Sequence, residues 1–150
     1  MPGRREEEDG MADVTVKRLE DFEGIFGGGF RRVRAGLGVT SFGIAVMDIP
    51  PNFKLYPEHD QSHDGQEEVF TALEGSGTLV VAGEEHLLEP GVWIRVGPDE
   101  KRKIVPGEDG VKVLAVGATP GKVYEPPEFT VEGGAPPTTP GKDPAHHLAE

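Results

Sequence analysis

The sequence contains no cysteine among its 150 residues. This absence excludes disulfide bonds, thiolate metal ligands and cysteine nucleophiles, and it fits a protein kept in a reducing compartment. No apolar run approaches the roughly 18 residues that a membrane-spanning helix needs. The first residues, MPGRREEEDG, lack the apolar segment of a secretory signal peptide. We therefore predict a cytoplasmic protein.

Positive charge is also scarce in this chain. Lysine and arginine number 15 against 27 aspartate and glutamate residues, which gives a formal net charge of -12 at pH 7. A surface of this sign repels phosphate backbones and anionic lipid headgroups. We therefore expect neither nucleic acid nor a membrane as a partner.

Most of the chain follows the two-residue periodicity of β-strands, and its 22 glycines and 14 prolines punctuate it with turn signals. This pattern is typical of an antiparallel all-β sandwich or barrel. Residues 18–26 fit either one short N-terminal helix or a strand followed by a turn. The charged residues 1–12 and the Gly- and Pro-rich residues 131–150 predict a disordered lead-in and a disordered tail. Between them we expect one domain, at 13–130.

The first strand signals lie at 30–35 and 39–49. In the second segment, apolar side chains occupy both faces, which predicts a strand covered on both sides. The same alternation predicts later strands at 67–73, 78–82, 86–89, 92–96, 101–105 and 111–117, with turns or loops between them.

One stretch, residues 56–75, concentrates groups that can bind a metal or move a proton. His59, His63, Glu67 and Glu68 fall within ten residues there. Because side chains alternate along a strand, Glu68 shares a face with Phe70, whereas Glu67 points the other way. The two neighbouring carboxylates are therefore not expected to act as a pair.

This stretch and residues 83–102 resemble the two sequence motifs of the cupin superfamily. Glu68 and Gly75 have the spacing of the glutamate and glycine that end the first motif, and Pro90-Gly91 lies where the second motif has the same pair. The resemblance covers roughly residues 30–120. It implies a small single-domain protein with a double-stranded β-helix, or jelly-roll, barrel.

The resemblance also implies a metal inside the barrel, held by three histidines and one glutamate. Glu68 takes the glutamate position, and counting back from it puts one histidine position at His63. The other two histidine positions fall on Gln61 and Arg102, so the chain has altered metal-ligand positions. A guanidinium stays protonated and never ligates a metal.

One hypothesis is a metal-dependent cupin enzyme, such as an oxygenase or an isomerase, that holds a divalent Zn, Ni, Mn or Fe ion with His59, His63 and Glu68. His59 would then replace the ligand missing at Gln61. On a straight strand, Cα atoms four residues apart lie ~13 Å from each other, whereas each imidazole reaches a common ion from about 6 Å. The chain must therefore bend between His59 and His63.

A second hypothesis is a metal-free binding protein or cofactor-independent enzyme. Its pocket in the barrel interior would bind a small polar or anionic molecule through Gln61, Phe70 and Arg102. Arg102 would either pair with Glu68 in the place of the metal or bind a carboxylate or phosphate of the ligand. A third hypothesis is a structural barrel without a ligand, whose polar interior is a satisfied hydrogen-bond network with His63 as a core histidine and with Glu68 and Arg102 as an ion pair that gives the fold specificity. Arg102 also fits a solvated charge run, Lys101-Arg102-Lys103, at the start of a strand. An inward Arg102 that contacts Glu68 argues against a cupin-type metal.

The expected assembly is a homodimer. Trp93 and the strand at 39–49, apolar on both faces, supply the apolar surface that such an interface needs.

Overall fold

A computed structural model describes residues 12–54 and 56–135 of the protein. It contains short 3-10 turns at Leu19–Asp21, Phe26–Gly28 and Glu128–Thr130. The longer elements, in chain order, are β1 (Gly24–Ile25), β2 (Phe30–Arg31), α1 (Val33–Leu37), β3 (Gly43–Ile49), β4 (Glu67–Val81), β5 (Glu84–Leu88), β6 (Trp93–Val96) and β7 (Arg102–Ala118). The predicted all-β class is confirmed. None of the helices in these ranges has the length and hydropathy needed to cross a membrane.

Two long strands, β4 and β7, form the centre of the fold. They pair with each other in antiparallel fashion along nearly their whole length. The first half of β4 also pairs with β6, and its second half pairs with β5. Strand β3 joins the other edge of β7, and β2 and β1 follow it. Because β4 and β7 each serve two layers, the strands close into the predicted jelly-roll barrel.

The two long strands bend together where glycines approach each other. Gly75 and Gly110 both have positive φ, 72° and 78°, and a Cβ atom at Gly75 would lie 2.2 Å from the carbonyl oxygen of Gly110. The register of the β4–β7 ladder shifts on both sides of Gly75. Such bulges bend a ladder without ending it. The expected strand breaks at residues 75–77 and 106–110 are therefore wrong.

The barrel interior holds one cluster of buried apolar side chains, drawn from both layers: Ile49, Phe70, Ala72, Leu79, Leu88, Val96, Ile104, Val111 and Val113. The opposite face of β3 is covered as well, because Val46 packs with Phe22 and Val33 in a second cluster. Strand β3 is thus apolar on both faces for the reason expected from its sequence. Each fully buried aliphatic or aromatic side chain contributes about 1.5–3 kcal/mol of hydrophobic stabilisation.

The α-helix found among the described residues lies later than the sequence pattern indicates. Residues 18–26 form a 3-10 turn followed by β1 rather than a helix, whereas α1 occupies part of the segment expected as a strand at 30–35. Gly38 ends α1 in the left-handed conformation, and its N–H donates to two helix carbonyls. The Phe22 ring packs so closely on Gly36 that a Cβ atom there would lie 2.4 Å from Cδ1 of the ring. This tertiary packing and the glycine cap favour a helix here, although the local alternation of side chains predicts a strand.

The chain continues as a folded segment past β7, and Arg32 holds that segment in place. The Arg32 side chain is buried; its Nε donates to the carbonyl of Phe129 (2.9 Å) and its Nη2 to the carbonyl of Gly134 (2.7 Å). Its Nη1 donates to Glu23 (2.9 Å), whose carboxylate also accepts from the N–H of Gly133 (2.9 Å). The expected tail boundary at 131 thus falls inside packed chain. The remainder of the predicted lead-in and tail lies outside the described residues.

We expect Arg32→Met to release the segment after β7. The variant removes three hydrogen bonds from a charged donor, and one such bond contributes about 1.5–3 kcal/mol. Amide hydrogen exchange at Val131, Gly133 and Gly134 should accelerate by a factor of about 100, which corresponds to roughly 3 kcal/mol of lost local stability. Arg95→Met, at an exposed arginine paired with Glu67, is the matched control. Equal protection in the two variants would contradict the role of Arg32.

Several large apolar side chains remain exposed on the outer surface of the barrel. Trp93 is 66% exposed and Leu87 is 57% exposed. Leu87 and Val105 flank Thr78 in neighbouring strands, so they form a short apolar row. Such a row is suited to an interface, but the homodimer stays a prediction.

Candidate functional site

A cavity of about 1020 Å³ opens into the barrel between β3, β4, β7 and the segment after β7. This volume is at the upper end of the range for small-molecule sites. Most of its wall is apolar or aromatic, formed by Phe26, Phe30, Ile44, Ala45, Met47, Ile49, Phe53, Tyr56, Phe70, Ala115 and Phe129. The cavity therefore offers a large apolar contact surface to a ligand.

Polar groups gather at one end of the cavity, where two glycines leave room for them. Gly43 of β3 pairs with Gly117 of β7, and Gly117 in turn pairs with Glu68 of β4. A Cβ atom at Gly43 would lie 2.6 Å from the hydroxyl oxygen of Tyr124, and one at Gly117 would lie 2.8 Å from Oε1 of Gln66. We call this region, formed by Gly43, Gln66, Glu68, Gly117 and Tyr124, the polar end of the cavity.

Glu68 forms an ion pair with Arg102. The Arg102 side chain has no exposed surface and that of Glu68 is 17% exposed. Nη1 of Arg102 donates to Oε1 of Glu68, while Nε donates to the carbonyl of Glu100 (2.9 Å) and Nη2 to the carbonyl of Gly97 (2.6 Å). All three guanidinium nitrogens are thus engaged within the protein. Glu67 faces the opposite side and pairs with the exposed Arg95 (2.7 Å), as the alternation of the strand predicts.

Burial dominates the ionisation of Glu68. It raises the pKa of this carboxyl above its ordinary value, and the neighbouring charge of Arg102 opposes the rise. Burial of this ion pair therefore costs desolvation free energy, and the pair is stable only while both partners are present.

His59 lies directly beside Arg102 in the barrel wall. The two residues exchange backbone hydrogen bonds of 3.1 Å and 2.8 Å. Nδ1 of His59 lies 3.1 Å from the carbonyl oxygen of Pro57. Because a carbonyl only accepts, this contact assigns the proton to Nδ1 and leaves Nε2 as an acceptor. Burial lowers the pKa of His59, so the ring is neutral at pH 7.

The chain bends after His59, and the bend turns His63 towards solvent. The N–H of Gln61 donates to the carbonyl of Pro98 (2.8 Å), and the N–H of Gly65 donates back to the carbonyl of Gln61 (2.8 Å). The His63 side chain is 71% exposed, with Nε2 3.4 Å from a carboxylate oxygen of Asp64. The predicted bend between His59 and His63 is present, but it places His63 at the rim of the cavity.

The residues of this site do not fit the metal that the resemblance implies. Within 12–54 and 56–135, no three His, Cys, Asp or Glu side chains are grouped as metal ligands. The expected ligand set of His59, His63 and Glu68 is therefore not assembled: His63 is exposed, and the Glu68 carboxylate is held by Arg102. A guanidinium stands where a metal ligand is expected.

The structure distributes the predicted ligand-binding residues unequally. Gln61 and Phe70 line the cavity, and Phe70 is buried between Ile94 and Ala115. Arg102 does not line it, because its guanidinium is enclosed behind Glu68. This position differs from the expected direct contact between Arg102 and a ligand.

Sequence reasoning missed Arg34, which does line the cavity. Its Nη1 donates to the carbonyl of Val39 (2.9 Å), whereas its Nε is buried without a hydrogen-bond partner. A signal for it was present: three arginines fall within residues 31–34 of a strongly acidic chain. Because residues 30–35 were expected to form a strand, the sequence pattern did not place the Arg34 side chain towards the interior.

Comparison with known proteins points to one family. Residues 45–117 match the cupin domain. A cupin protein from Bacteroides fragilis has a similar structure, with a TM-score of 0.61 and 20% identity over 78% of this chain and 93% of its own. KdgF from Halomonas sp. is similar at a TM-score of 0.52 and 13% identity, over 65% of this chain and 85% of its own. At these identities the likeness concerns the fold alone. No curated protein matches the sequence.

Proposed function

Because this chain is a small protein of the cupin superfamily, we propose that it binds a small polar or anionic molecule in the barrel cavity without using a metal. One observation carries the proposal. The cavity ends in a polar region whose glutamate is already neutralised by Arg102 instead of being free for a metal. A neutralised pair of this kind can stand in the wall of a dry pocket, whereas an unpaired carboxylate is costly there.

The remaining polar groups of the cavity can orient a ligand by hydrogen bonding. Tyr124 supplies a hydroxyl and Gln66 an amide oxygen at the polar end, and the neutral ring of His59 supplies an acceptor. A few placed polar groups in an apolar wall are the usual composition of a small-molecule site. The ligand is therefore a molecule with a polar head and an apolar body.

We expect the EDTA-treated protein to bind 4-phenylbutyramide in this cavity, measured by isothermal titration calorimetry. This probe combines a polar head with an aromatic body. Ala45 and Ala115 face each other across the β3–β7 ladder and both line the cavity. Ala45→Leu and Ala115→Leu should each weaken binding by about tenfold or more, because added methylenes overfill a packed site.

Leu87→Ala, on the outer surface of the barrel, is the control and should bind like the wild type. Unchanged affinity in both cavity variants would mean that the probe binds elsewhere. Binding that disappears with EDTA and returns with Zn²⁺ would favour the metal-dependent alternative. A protein that binds no probe of this shape would favour the structural barrel. Any of these three results would overturn the proposal.

A further inference from the structure

Three arginines lie in or behind the wall of the cavity, and they differ in their partners. Arg32 and Arg102 each donate to one carboxylate and to two backbone carbonyls. Arg34 donates to a single carbonyl, that of Val39, and its Nε is the one buried side-chain polar atom without a partner among the described residues. Buried donors in folded proteins are nearly always satisfied, so an orphaned guanidinium nitrogen at a cavity wall indicates a missing acceptor.

Arg34 lines the same cavity as Tyr124. Its charge acts on Tyr124, where burial raises the pKa of the hydroxyl and Arg34 opposes that rise. The Tyr124 hydroxyl itself occupies the space left open by Gly43. A guanidinium and a phenolic hydroxyl thus both line one largely apolar cavity.

We propose that Arg34 and Tyr124 bind the carboxylate of the ligand, which makes the ligand class a monocarboxylic acid with an apolar or aromatic body. This inference rests on the proposed function and specifies its ligand. Nε and Nη2 form one edge of the planar guanidinium, and that edge matches the two oxygens of a carboxylate. Tyr124 adds a neutral donor.

The surrounding charges favour one negative charge over two. Asp64 acts on Tyr124 in the sense opposite to Arg34, so it repels an anion placed there. A single guanidinium compensates a monocarboxylate, whereas a phosphate monoester carries nearly two charges at pH 7. The other end of the cavity offers Phe30, Met47 and Phe53, which fit an apolar body.

The test compares 4-phenylbutyrate with 4-phenylbutyramide by isothermal titration calorimetry on the full chain in EDTA. The two probes differ in the charge of the head group and share one body. The wild type should bind the acid about 10- to 100-fold more tightly, the range that one hydrogen bond to a charged group supports. Arg34→Met should abolish that preference, and an unchanged circular dichroism spectrum shows that the variant is folded. Arg34→Lys should keep part of the preference, and Tyr124→Phe should reduce it severalfold.

Arg95→Met is the control, because Arg95 lies on the outer face with Glu67, and it should behave like the wild type. Equal affinity of the wild type for acid and amide overturns the carboxylate site and leaves cavity binding intact. A preference for the acid that survives Arg34→Met overturns the assignment to Arg34. Failure of the wild type to bind either probe overturns the proposed function and this inference with it.

Discussion

Arg102→Met should lower the free energy of unfolding by about 3–5 kcal/mol at pH 8, the usual cost of removing one partner of a buried ion pair. The substitution leaves the Glu68 carboxylate without its counter-charge in a site where it is 17% exposed. It also removes the donors of the Glu100 and Gly97 carbonyls. Since the free energy of unfolding of small domains is about 5–15 kcal/mol in total, this loss is a large part of the stability of the protein. Urea unfolding followed by circular dichroism measures it.

The loss should be smaller at pH 5 than at pH 8. Burial raises the pKa of Glu68 in the folded state, and Arg102 is the neighbour that lowers it, so removal of Arg102 raises the pKa further. Between the unfolded and the folded pKa, the native state binds more protons than the unfolded state, and stability therefore falls as the pH rises. A larger fraction of the variant's carboxyl is therefore protonated at pH 5 than at pH 8, and the protonated form needs no counter-charge. A variant that is unfolded at pH 8 but folded at pH 5 would be the extreme form of the same result.

The double variant Glu68→Gln with Arg102→Met is the control for this mechanism. With both charges absent, no unpaired ion is buried, and replacement of a whole ion pair is often close to neutral. It should recover most of the stability lost in the single variant and lose most of the pH dependence. A single variant equally destabilised at both pH values, or no recovery in the double variant, would contradict the account.

The fold could be predicted from the sequence because strand alternation and glycine turns recur throughout it. The continuity of β4 and β7 could not be predicted. Gly75 signals a turn by its type, and only its close approach to Gly110, far along the chain, converts that turn into a bend within a ladder. The position of α1 escaped prediction for a similar reason, since it depends on Phe22 packing against Gly36. Both features are long-range contacts, which local patterns do not encode.

The site could be predicted where it depends on strand parity, that is, on the alternation of side chains between the two faces of a strand. Parity separates Glu67 from Glu68 and turns Glu68 inward, and the structure shows both features. Motif spacing was less informative, because it gave His63 a ligand position while the ladder sets His59 opposite Arg102. Spacing counts residues and assumes a loop of fixed length, whereas backbone hydrogen bonds fix which residue faces which. Arg34 lies in α1. Because the position of α1 could not be predicted, the role of Arg34 could not be predicted either.

These features make Arg102 the residue that separates this chain from the metal site that the cupin resemblance implies. Arg102 fills the space of a ligand, neutralises the glutamate that would hold the metal and brings a fixed positive charge of its own. Coulomb repulsion between that charge and a divalent cation acts through a poorly solvated interior, where screening is weak. Histidine at this position would reverse all three effects at once.

The double variant Gln61→His with Arg102→His is therefore expected to gain a Zn²⁺ site. Residues 59 and 102 form a hydrogen-bonded antiparallel pair, whose Cα atoms lie about 5.5 Å apart. Two imidazoles at that distance can share one ion. The Glu68 carboxylate already contacts the residue 102 side chain, so it lies within reach of the same ion, and a histidine at position 61 adds a fourth ligand.

The affinity of this double variant for Zn²⁺ should exceed that of the wild type by at least ~100-fold, since even groups that only support a ligand contribute 10- to 100-fold. Calorimetric titration of EDTA-stripped protein, with elemental analysis of the dialysed product, measures affinity and stoichiometry. Gln61→His with Arg102→Met is the matched control: it removes the guanidinium without supplying the second imidazole, and its affinity should be intermediate. If the wild type already binds Zn²⁺ as tightly as the double variant, Arg102 does not exclude a metal, and the metal-free function proposed for this barrel falls with it.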